Sequence, residues 1–241
     1  MEPEDYVTAL RREGALLAEA AGLAGPRAPV AACPGWTVAD LVWHVGGVHD
    51  FWRRIVEQRA ADHAEVKREL TRPADGALLD WYRAGLQRLA GVLATTDPAT
   101  PVWTWAPQKD AGFVRRRMAQ ETVVHRVDAE LAGGEASPID HALAVDGIDE
   151  LFQFFAPDRA EGAAPLDGSV HLHATDAEGE WLVTAAGGQL RFSRGHAKGD
   201  ATARAAAADL LLLLWRRGHG PVEVLGAQAV LDRLLAHTDL N

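Results

Sequence analysis

The stretch MAQETVVHRVDAE, residues 118–130, sets Met118, Glu121, His125 and Asp128 at successive spacings of three, four and three. On a helix those side chains share one face. A stripe that only filled a core would carry leucine or isoleucine there. This one carries a carboxylate and an imidazole four residues apart, the geometry by which one helix offers two ligands to a metal ion. The same pairing also serves as a surface ion pair, so its meaning depends on what lies opposite.

Working outward, the first two-thirds of the chain reads as helices. PEDYVTALRREGALLAEAAGL ends at Gly25-Pro26, and Thr37 with Asp40 three residues on opens a second helix that runs to about Ala61. A third, GALLDWYRAGLQRLAGVLATT, stops at Asp97-Pro98, and PVWTWAPQKDAG is a loop lying over something apolar. The fourth, FVRRRMAQETVVHRVDAELA, ends at Gly133-Gly134, and a fifth, PIDHALAVDGIDELFQFFA, ends before Pro157. Helices in this order make a bundle.

After DRAEGAAPLDG the periodicity changes. SVHLHAT, EWLVTAA and QLRFSRG alternate between Gly-rich turns and read as antiparallel strands. DATARAAAADLLLLLWRR reads as a helix opened by Asp200, VEVLG as a short strand, and AQAVLDRLLAHTD as a closing helix. The expected fold is α + α/β: a helical bundle over residues 1–160, then a small α/β domain over residues 166–241, with the boundary near residue 165.

Composition narrows the function classes. A formal net charge of −10 argues against a nucleic-acid surface or an anionic membrane as partner. The run DLLLLLWRRG is too short to span a bilayer, and MEPEDYVTALRREG is acidic and amphipathic, unlike a signal peptide. Cys33 is the sole cysteine, so no internal disulfide forms. A cytoplasmic monomer is expected.

A catalytic zinc site needs a third protein ligand and an open position. His44, among Leu41, Val48, Phe51 and Ile55 on the inward face of the second helix, is the candidate. An imidazole there needs a polar partner, because burying it alone costs about 1–3 kcal/mol. His49 competes, but lies about 140° further round the helix and is placed toward the rim or outside. Gly46-Gly47, costly mid-helix, suggests close approach of another group. Asp128 either orients His125 or pairs with Arg126. Cys33, beside Pro34-Gly35 without an evident basic neighbour, reads as structural filler.

CPGWTVADLVWHVGGVH (33–49) and RRMAQETVVHRVDAE (116–130) closely resemble the two signature segments of the mycothiol-dependent maleylpyruvate isomerase family, part of the DinB-like superfamily. In that family a Trp-Thr/Ser pair opens the second helix and D-L-x-x-H follows, as Trp36-Thr37 and Asp40 to His44 do here. The fourth helix carries E-x-x-x-H-x-x-D, here Glu121, His125 and Asp128. The resemblance extends to a small C-terminal domain like sterol carrier protein, through HLHATDAEGEW and LLLLLWRRG. It implies a DinB-like four-helix bundle in which His44, Glu121 and His125 match zinc ligands, with water or a thiol in the open position. It also implies that Arg217 matches an arginine that reaches the active site, although Arg216 stands where relatives often have glycine.

Zinc on three N/O ligands, or another divalent metal there, suits holding an external thiol as thiolate. Mycothiol is the cosubstrate the resemblance implies. The thiolate attacks a small electrophile: if the adduct rotates and eliminates, the result is cis–trans isomerisation, and if it persists, S-conjugation. Arg217 would bind a substrate carboxylate. Two rivals stand beside this reading. One is metal-assisted hydrolysis, which wants a general base near the metal, with Asp128 and His49 as candidates. The other is a non-catalytic module that binds a small apolar ligand.

Overall fold

The second helix begins where Thr37 and Asp40 close on each other. The Thr37 hydroxyl accepts from the Asp40 amide at 3.3 Å, and the Asp40 carboxylate accepts from the Thr37 amide at 3.0 Å. This capping box fixes the start of α2 (Val38–Gln58), which ends on Arg59 in the left-handed conformation. The computed structural model describes residues 1–67, 69–155, 165–186, 189–218 and 220–238. The connector read between residues 158 and 164, and with it the expected end of the bundle at residue 160, lies outside the described residues.

Two compact units divide the chain, Met1–Ser137 and Pro138–Asn241. The first holds α1 (Pro3–Ala24), α2, α3 (Asp75–Thr95) and α4 (Ala111–Gly133), with α1 packed on α3 and α4, and α2 on the same two helices. Leu10, Leu17, Leu41, Ile55, Leu89, Leu93 and Met118 are among its fully buried side chains. Charge also pins this core: the buried Arg126 donates to Glu13 of α1 at 2.9 Å and to Glu130 at 2.6 Å. Burying Arg126 is tolerable because its guanidinium is paired and hydrogen-bonded. The loop between α3 and α4 lies over apolar surface, with Trp103 stacked on Trp52 at 6.0 Å and Trp105 edge-on to Phe113 at 5.3 Å.

The second unit contains α5 (His141–Glu150), which the sequence reading grouped with the bundle. Here it packs on α6 (Ala207–Leu214), burying Leu143, Ala144 and Ile148. Its Asp149 accepts from the Trp181 indole at 2.9 Å and from Arg194. The sheet runs β3 (Gln189–Arg194), β2 (Glu180–Ala186), β1 (Val170–Ala174), β4 (Ala201–Ala205), β5 (Glu223–Gly226). β1 is antiparallel to β2 and parallel to β4. Val170, Leu172, Trp181, Val183, Ala201 and Ala203 are fully buried on one face, where α6 and α7 (Gln228–His237) pack.

A further segment differs from the sequence reading in its secondary structure. ATARA, expected to begin a helix at Asp200, is strand β4, and the helix starts at Ala207. Alanine favours helix, but residues 201, 203 and 205 alternate inward, and ladders on both sides supply the hydrogen bonds. Among the described residues, no helix is long and apolar enough to cross a membrane.

Candidate metal centre

α2 and α4 pack against each other, and that packing sets which residues of α2 face α4. His44 and the Glu121/His125 pair meet there. Glu121 Oε1 sits 3.3 Å from His44 Nε2 and 3.3 Å from His125 Nε2. The two imidazoles meet edge to face, with ring centroids 5.2 Å apart. One donor atom from each residue lies within 4.8 Å of the others. A separation of 3.3 Å is long for a hydrogen bond between such groups. It matches the edge of a tetrahedron with about 2.0 Å from centre to corner, the length of a zinc–nitrogen or zinc–carboxylate bond.

The far sides of two of the donors, His125 and Glu121, are tied down. His125 Nδ1 is 2.9 Å from Asp128 Oδ2, which leaves Nε2 to face Glu121 and His44. Asp128 therefore orients His125, while Arg126 goes to Glu13 and Glu130. Glu121 Oε2 accepts from Arg117 at 2.7 Å, so Oε1 is the oxygen presented to the imidazoles. Arg117 was not singled out from the sequence; its place four residues before Glu121 on the same face is the signal that finds it.

Electrostatics point the same way. Burial alone would lower the His125 pKa, but the Asp128 and Glu121 carboxylates on its ring nitrogens outweigh it and lift it to about 9. Burial would raise Glu121, yet His125, His44 and Arg117 draw it well below the ordinary carboxylate range. Two carboxylates against one guanidinium leave the cluster net negative, a charge that a proton on His125 or a divalent ion offsets. Donor types, spacing and charge all fit such an ion.

His44 is not deep in the core. Its side chain is 37% exposed, its ring lies 5.0 Å from Trp36, and it lines a cleft of about 910 Å³. Trp36, Trp43, Gly47, Trp103 and Trp105 form much of the rest of that lining. His49 takes the place expected for His44: it is fully buried, 2.9 Å from the Thr122 hydroxyl and stacked on Tyr82 at 5.7 Å. The Thr122 hydroxyl donates its hydrogen bond to the Met118 carbonyl, so His49 Nε2 donates to it, and His49 Nδ1 is buried without a partner. Burial holds the His49 pKa down to about 4. The rim position read for His49 is therefore wrong, because α2 is covered on that side by α3 and α4.

The two mid-helix glycines separate. A Cβ at Gly46 would overlap the Trp81 indole, so that position answers a packing demand, whereas Gly47 lines the cleft. Cys33 is not remote from titratable groups: its sulfur falls within 4.8 Å of donor atoms of His125 and Asp128. Arg217 belongs to the second unit, where it is buried and donates to the Trp215 carbonyl at 2.7 Å. Arg216 beside it is exposed and adopts a left-handed backbone, φ 58°.

Comparison with known proteins follows the same division. Residues 7–130 match the family model for the mycothiol maleylpyruvate isomerase N-terminal domain, and residues 142–233 match the MDMPI C-terminal domain. Among solved structures, a mutant of the mycothiol-dependent maleylpyruvate isomerase matches with a TM-score of 0.67 at 13% identity, covering 93% of each chain. Another structure of the mycothiol-dependent maleylpyruvate isomerase gives 0.65 at 13% identity and 93% coverage of each chain. At that identity the likeness speaks for the fold. Curated protein sequences yield no match.

Proposed function

The chain belongs to the mycothiol-dependent maleylpyruvate isomerase family, and from that premise we propose that it is a divalent-metal enzyme that activates a low-molecular-weight thiol against a small electrophile. Mycothiol is the thiol and zinc the metal in this reading. One observation carries it: His44, Glu121 and His125 converge within 4.8 Å, and His44 lines an aromatic cleft.

His44, Glu121 and His125 would hold the ion. Bound there, zinc supplies a positive charge that favours the thiolate form of a sulfur brought beside it. Asp128 keeps His125 in the tautomer whose Nε2 carries the lone pair. Arg117 holds Glu121 with one oxygen toward the imidazoles. Trp36, Trp43 and Trp103 wall the cleft with apolar surface that receives the electrophile and thins the water around it. We assign recognition of a substrate carboxylate to Arg217, a task suited to a guanidinium fork.

The reaction then takes one of two courses. The sulfur bonds to one carbon of a conjugated cis double bond, the resulting single bond rotates, and loss of the same sulfur restores the double bond as trans. Alternatively the electrophile carries a leaving group, which departs with the electron pair, and the carbon–sulfur bond stays. Hydrolysis is less well served. Asp128, with no side-chain exposure, is committed to His125, and His49 is sealed between helices, so neither is placed as a general base.

Elemental analysis of the purified chain, with calorimetric titration by mycothiol, glutathione and cysteine, tests the proposal. The expected result is saturable binding of one thiol that disappears in His44→Ala. Thiol binding of equal strength in His44→Ala would overturn it.

A further inference from the structure

In the second unit a different set of donors meets on the face of the sheet opposite its apolar core. His171 and His173 alternate along β1 and so point to the same side. Glu180 of β2 stands directly across from His173 in the antiparallel register. The fourth member comes from a distance. On leaving β3 at Arg194 the chain must pass β2 and β1 to reach β4, and that crossing carries His196.

The contacts are close. Glu180 Oε2 lies 2.8 Å from His171 Nε2 and 2.7 Å from His196 Nδ1, while Oε1 lies 3.4 Å from His173 Nδ1. The His171 ring sits edge to face with His173 at 5.8 Å and with His196 at 5.5 Å. One donor atom from each of the four residues falls within 4.8 Å of all the others. His171 is 4% exposed, which is deep for an imidazole on a polar sheet face. Gly199 makes that possible: a Cβ there would come within 2.7 Å of the His171 amide nitrogen and 2.5 Å of the Ala201 carbonyl. Only a residue without one lets the crossing lie flat on β1.

Hydrogen bonding accounts for part of this arrangement. Two imidazoles share one carboxylate oxygen, and the third is left at 3.4 Å, where a bond is weak. A single cation at the focus uses all four. We infer that His171, His173, Glu180 and His196 bind one divalent ion of the zinc class. Three imidazoles and a carboxylate suit zinc, nickel or copper better than magnesium or calcium. With four protein donors the site is closed, which is the form of a structural rather than a catalytic centre. Its effect is to staple the β3–β4 crossing to β1 and β2.

The test counts metal by site. The chain is stripped with a chelator, reloaded with Zn2+, freed of excess and analysed for zinc. Wild type should retain two equivalents, His44→Ala one, His196→Ala one, and the double variant none. His196 is 82% exposed at its side chain, so removing it leaves the core intact, and His173→Gln provides a second variant of the same cluster. In each, zinc should raise the melting temperature less than in wild type while thiol-dependent turnover is kept. A single equivalent in wild type that His44→Ala removes overturns the sheet site and spares the proposed function. Two equivalents that survive both His196→Ala and His173→Gln overturn it as well. A single equivalent lost only in the sheet variants supports the sheet site and sinks the proposed helical centre.

Discussion

The two clusters differ in how their donors are held. In the helical unit three donors come from two packed helices, and two are held from behind by hydrogen bonds, His125 by Asp128 and Glu121 by Arg117, while the His44 ring rests against Trp36. One side opens on the aromatic cleft. In the sheet unit four donors face one another, one of them delivered by a loop and 82% exposed, and a single carboxylate serves three imidazoles. On the assignments proposed above, ligand count and support go with role. Fewer donors with more scaffolding leave room for a reactant in a fixed geometry, whereas a full set of donors needs less scaffolding because the ion itself would organise them.

The largest effect expected follows from breaking the three-donor set. His44→Ala should reduce thiol-dependent turnover to background, since it removes one of the three ligands proposed for the ion. Steady-state kinetics beside zinc analysis checks this. Retained turnover with zinc lost would show that the helical cluster is not the reaction centre, and the contrast between the units would collapse.

Acid should separate the units next. His49 has a pKa of about 4 in the fold, held there by burial, against the ordinary 6.5. Above 6.5 both folded and unfolded chains leave it neutral. As pH falls from 6.5 toward 4 the unfolded chain takes up a proton that the folded chain refuses, so stability drops, by about 3 kcal/mol across the window. Denaturant unfolding at several pH values in that range measures the slope. His49→Gln keeps a donor for Thr122 and should flatten it; an unchanged slope would show that the acid sensitivity originates elsewhere.

A smaller change probes the scaffolding itself. Asp128→Asn preserves shape but weakens the group that orients His125, and should cost the helical cluster about tenfold to a hundredfold in zinc affinity. The sheet cluster should keep its affinity. Equal loss at both would mean that the variant acts through the fold rather than through the imidazole.

These contrasts show which parts of the molecule were legible in the sequence. The helical donors could be read because Glu121, His125 and Asp128 repeat at helical spacing, and because Thr37 and Asp40 announce where α2 starts. The direction of α2 could not. His44 and His49 lie on different sides of one helix, and nothing local says which side meets α3 and α4 and which lines the cleft. Apolar neighbours suggested that His44 was the buried one; the packing makes it His49. ATARA looked helical because alanine is the best helix former, and only the ladders to β1 and β5 decide otherwise. The sheet cluster was half visible. H-x-H on a strand puts two imidazoles on one face, but His196 joins them through a crossing that only the strand order reveals.

The smallest effect expected is also the one that most directly compares a helix-borne site with one completed by a loop. Thr37→Ala removes the N-cap of α2 and should lower global stability by about 1 kcal/mol. Zinc affinity at the helical cluster should hardly change, because His44 sits two turns inside the helix, where its place is set by the packing of α2 rather than by its end. Gly199→Ala should strike its site directly. The added methyl meets backbone rather than a flexible side chain, so the crossing must lift off β1 and take His196 with it. Zinc should then be lost from the sheet cluster, and stability should fall with it, because the strain falls on the backbone of β1 and β4. Calorimetric titration and thermal melts on the two variants separate these outcomes. Were Thr37→Ala to weaken zinc at the helical cluster as much as Gly199→Ala weakens it at the sheet, the rigidity assigned to the helical donors would have to come from the capped end of α2 and not from the bundle.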